Sequence, residues 1–184
     1  MVNKKTILKI TLAVLAVPAL MAAIFGGCAL VVSSIFTSGD IPHRSDEELI
    51  ANFQSHRAEF DRMLQMINED NGLDRVDSYW THPENPGTVG ISQARIDEYR
   101  RLFQSAGVPR GFSAFQTKDN VEFIASSQGL AVSGSSKGYL FAKRPPPRIV
   151  ENLDTYRALK TEVSPVFPAY RHIEGNWYLF FEAD

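Results

Sequence analysis

The sequence predicts an α+β fold: an N-terminal membrane segment, two amphipathic helices, then an antiparallel β-sheet made of a meander and a C-terminal hairpin. Three observations carry that expectation. Between Ile10 and Phe36 run 27 residues without a charge, more than the ~20 a helix needs to cross a bilayer. Over 46–70 and again over 93–106 apolar residues recur at three- and four-residue steps. Beyond Arg110 the period falls to two, the spacing of strands.

Lys4, Lys5 and Lys9 precede the apolar run, and positive charge resists translocation, so the N-terminus is expected inside and the body outside the cytoplasm. A cleaved signal peptide has an apolar core of only ~7–15 residues, so simple release is not expected. Residues 1–36 are therefore a membrane anchor or lipoprotein signal segment, with contact to the membrane through residues 7–36. The small, polar stretch from Thr37 to Pro42 opens a linker, 37–44. Residues 45–184 form a single extracytoplasmic α+β domain.

Inside the apolar run, Ile24-Phe25-Gly26-Gly27-Cys28 resembles the lipobox of bacterial lipoproteins. That resemblance implies cleavage before Cys28 and acylation of its thiol. Phe25 replaces the usual leucine, and Ala29-Leu30-Val31-Val32 continues the apolar run where lipoproteins turn polar. The other reading is one uncleaved transmembrane helix in which Gly26, Gly27 and Cys28 are small packing residues.

Ser45 with Glu48 three residues on forms a capping box, and Asp46, Glu47 and Glu48 suit the positive end of a helix dipole. Leu49, Phe53, Phe60, Met63, Leu64 and Ile67 continue one stripe, and Gly72 follows as a stop, which predicts a helix over 46–70. Residues 71–91 hold Gly72, Pro83, Pro86, Gly87 and Gly90 and read as a long irregular connection. Ser92 caps a second helix, 93–106, which Gly107 and Pro109 end. Short strands are expected at 121–126, 130–133 and 139–142, with turns at Gln128-Gly129 and Gly134–Gly138. Pro145, Pro146 and Pro147 interrupt the sheet because proline donates no ladder hydrogen bond. A short helix near 153–160 and a hairpin, 170–173 with 177–182, close the chain.

The 184 residues include 44% hydrophobic side chains, enough for a real core. Setting aside the three leader lysines, the body has 16 basic and 21 acidic side chains, net −5. A mildly acidic body without a clustered basic face argues against nucleic acid as a partner. Cys28 is the only cysteine, so there is no intrachain disulfide and no cysteine-based zinc site.

His43, His56, His82 and His172 lack the close pairing of zinc helices, and the acids from Glu69 to Asp77 miss the first and twelfth positions of an EF-hand loop. Gly134 stands three before Lys137, so a Ser-x-x-Lys arrangement is absent, as is Gly-x-Ser-x-Gly. No catalytic, cofactor-binding or metal-ligating residue is assigned and no cofactor is expected. The candidate sites are Cys28 for lipidation and a binding loop formed by Tyr79, Trp80, His82 and Glu84, since aromatic and histidine side chains on loops are enriched at binding sites.

The lipobox-like leader, the Ser-Asp-Glu-Glu-Leu-Ile helix start and the terminal aromatic hairpin resemble small uncharacterised bacterial envelope proteins, a resemblance that implies no activity. The expected function is a non-catalytic, membrane-anchored module that binds another envelope protein. The alternatives are a tethered hydrolase, which requires at least two of Glu84, His82, His172 and Asp154 to converge in a cleft, and a small accessory subunit assembling through its transmembrane helix.

Overall fold

The computed structural model describes residues 42–114, 118–130, 133–159 and 168–183. The segment 7–36, with Cys28, lies outside them, and no helix among the described residues is long and apolar enough to cross a membrane.

Helix α1, Asp46–Ser55, starts as the capping box dictates: Ser45 Oγ accepts from Glu48 N, and the Glu48 carboxylate accepts from Ser45 N at 2.8 Å. The single helix expected over 46–70 is instead two, because the chain breaks at His56 (φ −121°, ψ 29°) before α2, Arg57–Glu69. No proline or glycine causes the break. The imidazole Nδ1 lies 3.0 Å from Asn52 O, the carbonyl that His56 N also engages at 3.0 Å, so a side chain intrudes on the helical ladder. Phe53 and Phe60, one on each side of the break, both reach the core, with ring centroids 5.2 Å apart.

Helix α3, Gln93–Ser105, begins at the Ser92 cap and buries Ile96, Tyr99 and Phe103. It is tied to the end of α2 by Arg95, which donates to Asp70 and Glu69 at 2.8 Å each, and by Tyr99, whose hydroxyl donates to Asp70 at 2.9 Å. Burial, with the Asp70 hydrogen bond, pushes the Tyr99 phenol up.

The strands are β1 (Arg75–Val76), β2 (Thr81–His82), β3 (Phe112–Ser113), β4 (Asn120–Leu130), β5 (Ser133–Ala142), β6 (Ala169–Glu174) and β7 (Trp177–Ala183). They form one seven-stranded antiparallel sheet in the order β2-β1-β3-β4-β5-β7-β6. A short helix α4, Leu153–Leu159, precedes β6. The meander expected as three short strands is two long ones: Gln128, Gly129, Gly134 and Gly138 are strand residues, and Gly129 faces Gly134 in the ladder. Gly138 is there for space, since a Cβ would sit 2.1 Å from Phe123 O. The predicted 93–106 helix, the helix near 153–160 and the closing hairpin match within a residue or two.

All helices described pack toward one sheet face, where Phe53, Phe60, Phe123, Tyr139 and Trp177 form an aromatic centre with ring centroids 4.7–6.0 Å apart. At one end of that face the core turns ionic. Lys137, 1% exposed, donates to Asp154 at 2.6 Å and to Arg44 O at 2.9 Å, and lies 2.7 Å from Asp46, whose exposure is 0%. Asp46 also accepts from Leu153 N and Arg171. Beside it the His43 ring bridges Ser126 Oγ and Ser135 Oγ at 2.8 and 2.7 Å. The residues that end the 37–44 linker are thus bound to the sheet.

Candidate functional site

The long connection from 71 to 91 is not irregular throughout. Arg75 pairs with His82 and Val76 with Thr81, and Asp77 N donates to Trp80 O at 2.9 Å, so Asp77–Trp80 is the tip of a hairpin on the edge of the sheet. Sequence patterning missed these strands because two residues each are too few to show a period. They hold because β1 is also paired to β3, through Arg75↔Ser113 and Val76↔Phe112.

The tip is held from three directions. The Ser78 hydroxyl donates to Pro109 O, Arg100 Nε donates to Asp77 O at 3.2 Å, and the Arg75 guanidinium lies 4.9 Å from the Trp80 ring centroid. Arg100 is therefore a half-buried support of the hairpin. On this support Tyr79 is 88% exposed and Trp80 46% exposed. A cleft of about 260 Å³ opens beside them, lined by Tyr79, Trp80, Glu84, Gln93, Ile96 and Arg100. The connection returns through the Asn85 cap of a 3₁₀ turn, Pro86–Val89.

Of the four loop residues expected to form a binding patch, Tyr79, Trp80 and Glu84 meet at this cleft and His82 does not. Thr81 is buried, with its hydroxyl donating to Pro83 O, whereas His82 turns outward to Asp74 at 3.2 Å. Cys28 lies outside the described residues.

The residues of the hydrolase alternative are dispersed. Register runs His82, Arg75, Ser113, Glu122, Leu140, Tyr178, His172 straight across the sheet, so the two histidines stand at opposite edges, roughly 25–30 Å apart at ~4.8 Å per strand. Asp154 belongs to the ionic cluster with Lys137 on the helix-covered side. Among the described residues no group of three or more His, Cys, Asp or Glu is placed to hold a metal ion. The arrangement offers an aromatic contact surface with one acidic and one basic neighbour, Glu84 and Arg100. Comparison of the chain with protein-family models, with curated proteins and with solved structures found no match.

Proposed function

We propose that the chain is a membrane-anchored extracytoplasmic protein of the bacterial envelope whose body is a non-catalytic module binding another envelope protein through the β1–β2 tip. The observation that carries this reading is the exposure of Tyr79 and Trp80 on a tip held by the rest of the fold. Exposed Tyr and Trp on a rigid support lose little conformational entropy on binding, and such residues dominate interface energetics. The apolar run of residues 7–36 supports the anchor, and the basic start supports an outside location for the body. Mass spectrometry of the N-terminal peptide separates the two anchor chemistries: acylated Cys28 as the first residue, or an unmodified peptide from Met1.

A photocrosslinking amino acid at Tyr79 of the full-length protein in intact cells is expected to trap a defined protein adduct, and the same group at exposed Gln54 on α1 is not. In the Tyr79-labelled protein, Trp80→Ala is expected to weaken capture at least ~10-fold, the ~1.4 kcal/mol or more typical of an aromatic anchor. Only monomer at position 79 across growth conditions, or equal adducts from 54 and 79, would overturn the assignment.

A further inference from the structure

The sheet face opposite the helices has its own buried apolar set, Ile124, Leu140, Ala142, Tyr178 and Phe180. Over it lies a cleft of about 340 Å³ whose floor is Leu140 and Ala142 and whose wall is Pro145–Pro147. Four polar side chains line it: Glu122 from β4, Asn120 at the start of β4, Tyr170 from β6 and Arg144 just after β5. Most charged side chains near this sheet are paired: Lys143 with Asp119, Arg171 with Asp46 and Glu47, Lys137 with Asp154. These four make no side-chain hydrogen bond or ion pair among the described residues. Burial pushes the Glu122 carboxyl up to about 7, with Glu182 on β7 acting in the same direction and Arg75 on β1 against it. Burial likewise pushes the Tyr170 phenol up, reinforced by Glu122 and Glu182. A half-buried carboxyl without a donor is costly to keep, and convergent polar groups around an apolar floor are the make-up of a small-molecule site.

The signs of the charges choose the ligand. A simple cation would meet the Arg144 guanidinium and a simple anion would meet Glu122, whereas a molecule carrying both charges satisfies both. We propose that this cleft binds a small zwitterion of the amino-acid class, its ammonium on Glu122, its carboxylate on Arg144 and an aliphatic side chain against Leu140, Ala142 and the prolines. Asn120 and the Tyr170 hydroxyl supply the remaining donors and acceptors. The volume lies at the lower end of small-molecule sites, which suits a single amino acid.

Calorimetry on the full-length chain in detergent tests this with three probes: L-leucine, L-leucinamide, which lacks the carboxylate, and 4-methylpentanoate, which lacks the ammonium. Leucine is expected to bind saturably, and each single-charge analogue at least ~10-fold more weakly, the loss of one charge-assisted contact. Glu122→Gln is expected to weaken leucine by a similar factor, and Arg144→Gln to weaken leucine but not leucinamide. Because the ammonium favours the ionised carboxyl, wild-type affinity should rise as pH rises through about 7 and then level, while Glu122→Gln shows no such rise. The same carboxyl keeps its proton longer folded than unfolded, so wild-type stability should fall as pH rises from the ordinary carboxylate range through about 7; Glu122→Gln should remove this fall, which also reports that the variant folds. No saturable leucine binding at millimolar concentration, equal affinity for all three probes, or ligand-induced amide shifts centred away from Leu140 and Tyr170 would each overturn the proposal. The hairpin tip on the other side of β3 is a separate reading, and its crosslinking result is independent of this one.

Discussion

Lys137→Met is expected to destabilise the body by about 3 kcal/mol or more, a large part of the ~5–15 kcal/mol that holds a domain of this size. Methionine matches the length of the lysine stem, so packing volume is nearly kept and the loss is electrostatic. Without the ammonium, Asp46 keeps one cation, Arg171, and that side chain reaches Oδ2 at 3.0 Å while Oδ1 faces the lost group. Asp46 is fully buried, so Oδ1 has no water to turn to. Arg44 O and Asp154 Oδ1 lose their donor as well. Chemical denaturation of the full chain followed by tryptophan fluorescence measures the change. Adding Asp46→Asn to Lys137→Met is expected to recover part of the loss, because it removes the uncompensated charge while an amide oxygen still accepts from Leu153 N at the 2.7 Å site. A single-variant change below ~0.5 kcal/mol, or strict additivity of the pair, would show that the cluster is held by packing alone.

That cluster marks the limit of what the chain reveals in one dimension. Gly134-Ser135-Ser136-Lys137-Gly138 has the composition of a turn, and composition does not distinguish a glycine that bends the chain from one that lets two strands approach. Lys137 is paired with Asp46 and Asp154, residues with no local signal linking them to it. Asp46 itself is legible as a first-turn acid, which it is, but not as a buried counterion. Where the causes are local, the reading holds. Ser45 and Glu48 specify the start of α1, Ser92 caps α3, and Glu174-Gly175-Asn176 specifies the β6–β7 turn region. The His56 break escaped because it depends on where one ring settles over its own helix. The candidate loop was recognisable from its aromatics, but not that Tyr79, Trp80 and Glu84 share a cleft while His82 turns away to Asp74, since that depends on how the hairpin folds back. The opposite cleft was not recognisable at all, since Glu122 reads as the polar member of an alternating strand and Arg144 as surface charge.

Gly111→Ala tests whether the position of the β1–β2 tip depends on this framework. At Gly111 (φ +71°) a Cβ would lie 1.9 Å from Val76 O and 3.0 Å from a Phe103 ring carbon. The nearest obstacle is backbone, which no rotamer change relieves, so β1 must move away from β3 or Gly111 must leave its conformation. Leaving is opposed by the hydrogen bonds from Gly111 N to Val108 O and from Ile124 N to Gly111 O, both 2.9 Å. Displacing Val76 would move Asp77 and Ser78, and with them the contacts to Arg100 and Pro109 that support Tyr79 and Trp80. Gly90→Ala is the control, because Gly90 (φ +79°) has the same handedness but nothing within 4 Å of the added carbon. It is expected to cost only the ~1 kcal/mol of a left-handed alanine, against about 3 kcal/mol for Gly111→Ala, where overpacking is added. Denaturation midpoints give the comparison, and crosslinking from position 79 should fall for Gly111→Ala while persisting for Gly90→Ala. Equal destabilisation of the two variants would mean that β1 yields freely, and a tip on so compliant a strand would not be the rigid anchor that aromatic capture requires.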